Sequence, residues 1–249
     1  MRFYLGCSGW FYRHWQNLFY PKNLPKKDWF KFYAKHFNTV ELNVPFYRFP
    51  TERTAKAWLR SAPSKEFKFS IKANRLITHI KKFVGTKNLI KKFYNVCKIL
   101  GDNLGCILFQ LPPSLKFNLK KLKAILAQLD KNFTNVIEFR HESWWREETY
   151  ALLKANETIF CIVSAPGLPE DFIKTAKDIY IRMHGKTFWY AYNYSKKELA
   201  ELAEKIKNLK PRNAWVYFNN DYNAWAPANC LYLKNIFRKM IKNKKNDRK

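Results

Sequence analysis

The chain has 249 residues, of which 47% are hydrophobic and 18% aromatic, and its formal net charge is +28. This is a globular composition with enough apolar material for one large core, and no run approaches the roughly 20 apolar residues of a membrane span. The N-terminal MRFYLGCSGW lacks the charged start, long apolar stretch and cleavage site of a signal peptide, so a cytoplasmic location without membrane association is expected.

Five cysteines, Cys7, Cys97, Cys106, Cys161 and Cys230, are dispersed and form no CxxC pair, which argues against a disulfide framework or a structural zinc site. Of the 47 basic residues 35 are Lys, spread over many segments, and only the tail KNKKNDRK is a charge run. A dispersed charge reads first as solvated surface, with nucleic acid as the partner that it would favour.

Taken in chain order, short apolar runs alternate with helical patterns. Strands are expected at 3–7 (FYLGC), 38–43 (NTVELN), 67–72 (FKFSIK), 105–111 (GCILFQL), 136–140 (VIEFR), 159–164 (IFCIVS), 179–184 (IYIRMH) and 214–220 (AWVYFNN). Helices are expected near 26–36, 52–61, 86–100, 119–130, 146–155, 196–209 and 228–242. Leu199, Leu202, Ala203 and Ile206 recur at helical spacing behind a Ser195 cap, for example. The connection APGLPEDFIKTAKD after the sixth strand is broken by Pro and Gly, so its helix is expected to be degenerate. Strand–helix alternation implies parallel pairing, and eight units in this length suit a closed (β/α)₈ TIM-type barrel over residues 1–243, followed by a basic, frayed tail at 244–249. An open doubly wound sheet is the alternative, but no GxGxxG follows the first strand.

Side chains two apart share a strand face. Glu138 and Arg140 therefore oppose Ile137 and Phe139. Likewise Thr39, Glu41 and Asn43 oppose Val40 and Leu42, and Ser70 and Lys72 oppose Phe69 and Ile71. Leu108 and Gln110 oppose Ile107 and Phe109, Tyr180, Arg182 and His184 oppose Ile179, Ile181 and Met183, and Tyr217 and Asn219 oppose Val216 and Phe218. Each run keeps one apolar face for the surrounding helices and ends its other face in a polar residue. All of these polar ends are C-terminal, so they are expected to converge at the rim that carries active sites in such barrels. A buried ion-pair network is the competing reading of the same residues.

The motifs GCSGWFYRHW, NTVELNVPFYRFP, FKFSIKANRLITH, LGCILFQLPPS, IEFRHESWW, YIRMHGKTFWY and VYFNNDYNAWAPANCLYL follow in order. Together they closely resemble the YecE-like family, domain of unknown function 72, over about residues 3–236. The resemblance implies a TIM-type barrel and supplies no activity. By position it carries over Gly6, Ser8, Gly9, Trp10, Glu41, Asn43, Phe46, Tyr47, Arg48, Lys72, Thr78, His79, Gln110, Pro112 and Pro113. It also carries over Glu138, Arg140, His141, Ser143, Trp144, Arg182, His184, Gly185, Tyr190, Asn219, Asn220, Ala226 and Asn229. Ser164 departs from the pattern, standing where relatives often carry an acid.

Lys72, Arg140 and Arg182, with His79 and His184 near them, outnumber the carboxylates Glu41 and Glu138, which favours an anionic ligand. Trp10, Trp144, Trp189 and Tyr190 offer faces for a base or sugar ring. The loops after strands seven and eight, with His184-Gly185 and Asn219-Asn220, are the usual phosphate locus, to which a helix N-terminus near Pro227 would add donors. Asn43, Gln110 and His141 complete the expected binding set. The leading expectation is thus a phosphate-bearing, ring-containing ligand, and a phosphoester hydrolase with Glu41 or Glu138 as base and His184 as acid. The alternatives are a glycosidase-like pair, Glu41 and Glu138, against which the basic neighbours argue, and a non-catalytic binding protein. No cofactor is expected. A divalent metal held by Glu138 with His141, or by Glu41 with His184, is the weaker possibility, since there is no HExxH.

Overall fold

A computed structural model describes residues 1–246. Eight strands occupy Arg2–Cys7 (β1), Thr39–Leu42 (β2), Lys68–Lys72 (β3), Leu104–Gln110 (β4), Asn135–Glu138 (β5), Ile159–Ser164 (β6), Ile179–Met183 (β7) and Asn213–Phe218 (β8). All seven ladders are parallel, in the order β1-β8-β7-β6-β5-β4-β3-β2. Around them lie α1 (Trp29–His36), α2 (Val44–Tyr47), α3 (Glu52–Ser61), α4 (Lys87–Lys98), α5 (Leu119–Leu126), α6 (Glu147–Ala155), α7 (Lys196–Asn208) and α8 (Trp225–Asn246). The molecule is a single (β/α)₈ barrel of TIM type. Between β6 and β7 there is no helix, and the Thr175 hydroxyl instead ties that segment to β6 through Phe160 N and Thr158 O. The start of the tail expected over 244–249 lies in α8; residues 247–249 lie outside the described residues. Among the described residues no helix is long and apolar enough to cross a membrane.

The alternation of side chains sorts the core into two bodies. Val40, Leu42, Phe69, Ile71, Ile107, Phe109, Ile137, Phe139, Ile179, Ile181, Val216 and Phe218 pack outward with the helices. Tyr4, Cys106, Leu108, Val136, Cys161, Val163, Tyr180, Trp215 and Tyr217 fill the barrel interior. Near the N-terminal end Tyr4 stacks on Trp215 at 3.9 Å. Above them the Tyr217 hydroxyl bridges Thr39 (2.6 Å) and Ser70 (2.8 Å). The five cysteines are buried, unbridged thiols.

Several boundaries moved, for local reasons. Helix α5 ends four residues before the expected 130. Helix α8 begins three residues before the expected 228, with Pro227 in its first turn, where the missing N–H has no intrahelical role. Asn38, Asn43 and Arg140 fall outside the strands in which they were expected. Asn38 serves the barrel seam. Its side chain accepts from Leu5 N (3.0 Å) and donates to Phe3 O (2.8 Å), while the Tyr33 hydroxyl accepts from Cys7 N (2.7 Å) and donates to Thr39 O (2.9 Å). Side chains from α1 and the loop after it thus carry the contact between β1 and β2. Gly6 makes the close approach possible, because a β-carbon there would sit 2.1 Å from Thr39 O.

Removing the bridging hydroxyl with Tyr33→Phe leaves Cys7 N–H and Thr39 C=O buried without that partner. It should cost about 1–3 kcal/mol in urea unfolding with an unchanged m-value. An unchanged midpoint would show that the seam does not depend on it.

Candidate functional site

At the C-terminal end of the barrel the interior turns from apolar to charged. Arg182, from β7, lies at the centre. Its Nε and Nη2 donate to both oxygens of Glu41 on β2, at 3.0 and 2.6 Å, and its Nη1 donates to Glu138 on β5 at 2.8 Å. The remaining guanidinium contacts reach Ser8 Oγ at 3.5 Å and His184 Nε2 at 3.2 Å. The hydroxyls of Ser8 and Tyr180 also donate to Glu41, at 2.7 and 2.6 Å. Arg140, two residues beyond the end of β5, donates through Nε to the second Glu138 oxygen at 2.5 Å. Glu41, Glu138, Arg182 and His184 are all buried.

These contacts set the charge states. Burial alone would raise the Glu138 carboxyl, but Arg140, Arg182 and His184 outweigh it and hold the group well below the usual carboxylate range. Burial, with Arg182 and Arg140 beside it, pushes His184 well below its ordinary value, so the imidazole is neutral. Guanidinium N–H groups only donate. His184 Nε2 lies 3.1 Å from Arg140 Nη2, 3.2 Å from Arg182 Nη1 and 3.3 Å from a Glu138 oxygen, while Asn219 Nδ2 lies 3.1 Å from Nδ1, so both ring nitrogens are engaged. His79, against Phe46, is lowered to about 4 by burial and by the charges of Lys72 and Arg140.

Lys72 is the exception in this network. It ends β3 with its Nζ 4.0 Å from the centroid of the Phe46 ring, and among the described residues that nitrogen makes no hydrogen bond and no ion pair. Burial, together with the Arg182 and Arg140 charges, lowers its amine from 10.5 to about 7, more than the pull of Glu138 and Glu41 restores.

Above this floor lies a pocket of about 330 Å³, lined by Lys72, Arg140 and Arg182, by the rings of Tyr12, Tyr47 and Tyr190, and by Asn43, Asn219 and Asp221. Arg140 stacks on Trp189 at 4.6 Å, and among the described residues its Nη1 has no partner. Asn43 donates to Ser8 O (3.2 Å), and among the described residues its buried Oδ1 has no donor. A larger groove of about 610 Å³ at the opposite end of the barrel, lined by Phe3, Leu5, Phe67 and Phe237 among others, contains none of the strand-end charges.

The convergence expected from alternation thus brings together Glu41, Asn43, Lys72, Glu138, Arg140, Arg182, His184, Tyr190 and Asn219, with Trp189 at the edge. Other expected binders lie elsewhere. Trp144 is buried outside the barrel on Phe139 (4.6 Å), with its indole N–H on Leu115 O. Trp10 packs on Phe30 at 4.9 Å. Asn220 is buried and bonded to Tyr192 O and Asn229. Gly185 N is taken by the Tyr194 hydroxyl. His141 accepts from Ser143 N, and Gln110 is buried at the end of β4 without lining the pocket. The first turn of α8 does not line the pocket either, so the free cationic donors come from β3 and the residues after β5 rather than from the last two loops. Ser164, the departure from the family pattern, lies 3.5 Å from a Glu170 oxygen. Tyr12 and Asp221 were missed. Both lie in loops with no alternation to orient them; the Tyr12 hydroxyl donates to Ser8 O at 2.6 Å, and Asp221 accepts from the Trp15 indole at 2.6 Å.

Among the described residues no three His, Cys, Asp or Glu side chains gather as a metal site. The oxygens of Glu41 and Glu138 already accept from guanidinium groups, so a divalent ion at either expected pair would have to displace Arg182 or Arg140. These residues do not fit one.

Residues 4–249 match the family model described as "Protein of unknown function DUF72". The chain is 24% identical to the UPF0759 protein YunF of Bacillus subtilis, over 91% of each chain. It is 26% identical to the UPF0759 protein YecE of Escherichia coli, over 57% of this chain and 50% of that protein. A crystal structure of a DUF72 family protein from Thermotoga maritima superposes with a TM-score of 0.87 at 29% identity, covering 96% of this chain and all of that one. A D-psicose 3-epimerase from Clostridium cellulolyticum, crystallised with D-tagatose, shares the fold at a TM-score of 0.56 and 10% identity, with 96% and 99% of the chains covered.

Replacing Arg182 by Met leaves the buried Glu41 without a cationic partner and Glu138 with Arg140 alone. It should destabilise the protein by about 3–5 kcal/mol in chemical denaturation, and a loss well under 1 kcal/mol would contradict the pairing described here.

Proposed function

The chain belongs to the DUF72 family, and we propose that it binds a small, phosphate-bearing ligand with a ring in the rim pocket. The observation that carries this reading is the uneven use of the two arginines. Arg182 is consumed by Glu41, Glu138, Ser8 and His184. Arg140 is held in place by Glu138 and by stacking on Trp189, yet keeps its Nη1 free at the pocket wall. A guanidinium fixed by one carboxylate and open on the other side is preorganised for an oxyanion, because little side-chain entropy remains to be lost. The amine of Lys72, which makes no hydrogen bond or ion pair among the described residues, adds a further nitrogen to the pocket wall. Tyr12, Tyr47 and Tyr190 supply flat surfaces for a ring, and Asn43 Oδ1 and Asn219 supply polar groups for hydroxyls.

The volume of about 330 Å³ lies at the low end of small-molecule sites, a size for a sugar phosphate or a single nucleotide rather than a polymer. The charge of +28 then belongs to the dispersed lysines and is no guide to the occupant of the pocket. Glu41, Glu138 and His184 are poor candidates for acid–base work. Each carboxylate is saturated by donors, and the neutral imidazole is engaged at both nitrogens. A glycosidase-like pair meets the same objection, because Glu138 has no proton to give near neutral pH.

Titration with inorganic phosphate, ribose 5-phosphate and adenosine monophosphate should raise the melting temperature of the wild type. Arg140→Gln should weaken binding of the best of them about 10- to 100-fold, the value of one or two hydrogen bonds to a charged group, while the fold survives on the Arg182–Glu138 pair. If none of the three stabilises the wild type, or if Arg140→Gln binds as tightly, the reading fails. Oligonucleotide binding that falls steeply with salt and survives Arg140→Gln would assign that affinity to surface lysines and separate it from this site.

A further inference from the structure

We propose that Lys72 is a carbonyl-reactive amine that forms an imine with an aldehyde or ketone group on the ligand held in the rim pocket. This rests on the phosphate-binding reading above and names the ligand class more narrowly: a small phosphorylated carbonyl compound. The placement is the first support. Lys72 is the last residue of β3, its side chain turns into the barrel mouth, and its Nζ lines the pocket against one face of Phe46. The second is the missing counter-ion. The two acids nearest in the fold, Glu41 and Glu138, give their oxygens to Arg182, Arg140, Ser8 and Tyr180, and Lys72 has no hydrogen-bond partner among the described residues. An amine needed only for structure would be expected to take one of those carboxylates.

An amine so placed, beside an apolar ring and two guanidinium groups, is favoured in its neutral, nucleophilic form, and its lowered value of about 7 agrees. Other lysines with no such surroundings stay protonated at neutral pH. The division of labour follows from the positions of the two free donors: Arg140 Nη1 takes the phosphate, and Lys72 meets the carbonyl carbon.

The step balances without a further reactant. The Lys72 nitrogen lone pair forms a C–N bond as the carbonyl π pair moves to oxygen, giving a carbinolamine. That oxygen then departs as water, with both of its hydrogens supplied by the amine, and a C=N bond remains. Nothing is oxidised or reduced.

The test uses the full chain at pH 7 with dihydroxyacetone phosphate as probe and sodium cyanoborohydride to reduce the C=N bond to a stable amine, followed by peptide mass mapping. The reduced adduct is expected on the peptide carrying Lys72 at no less than tenfold the occupancy of any other lysine, and glycerol 3-phosphate, which lacks the carbonyl, should suppress it. Lys72→Arg should lose the adduct while still being stabilised by glycerol 3-phosphate. An adduct spread over surface lysines without enrichment at Lys72 would overturn the proposal. If both phosphates raise the melting temperature but no adduct forms at Lys72, imine formation is refuted and phosphate binding stands. If neither phosphate has any effect and no adduct forms, both readings fall.

Discussion

The structure of the barrel mouth depends on one guanidinium. Arg182 sits where β2, β5 and β7 bring two carboxylates close together, and it satisfies both by fork-like hydrogen bonds. Two buried acids without it would repel each other in a medium that screens poorly. With it, the carboxylates are anchored and spent. Everything chemically available in the pocket is what this pairing leaves over: the outer edge of Arg140, the amine of Lys72, and the polar groups of Asn43 and Asn219. The ion-pair network and the ligand site, which look like competing readings of the same strand ends, are the floor and the walls of one structure.

That floor is delivered by the barrel itself. Alternation sends apolar residues outward under the helices and leaves the interior to be filled in tiers, from Tyr4 on Trp215, through the hydroxyl bridge at Tyr217, to the charged tier at the rim. The seam between β1 and β2 is carried by Asn38 and Tyr33 instead of a regular ladder. It runs directly below Ser8, which bonds to Glu41. A shift of β1 against β2 would therefore be felt at the carboxylate that Arg182 holds.

How far the site could be read from the sequence follows from the same geometry. Glu41, Lys72, Glu138 and Arg182 were legible because a period of two fixes the face of a strand residue and parallel strands end at one rim, and Arg140 and His184, one or two residues past β5 and β7, still reach that rim. Which charges pair was not legible, since that depends on the relative heights of β2, β5 and β7 around the barrel. Arg182 and Arg140 look equivalent in sequence, yet one is consumed and the other left open. Trp10 and Trp144 misled because they follow strand ends in loops, where alternation no longer decides the side, and both turned to the outer core. Tyr12 and Asp221 stayed hidden for the same reason. Lys72 was legible as a pocket residue but not as an amine without a counter-ion, because that needs the whole hydrogen-bond network.

If the carboxylates are spent on arginine, neither is left to pair with Lys72, and its titration reports directly on the arrangement. Selective carbon-13 labelling of lysine side chains, with the Lys72 signal assigned by substitution and followed by NMR as a function of pH, measures it. The midpoint should fall at about 7, well below the ordinary 10.5 of a lysine amine. A midpoint near the ordinary 10.5 would mean that Glu41 or Glu138 serves Lys72 after all, and that the floor of the pocket is not neutralised by Arg182.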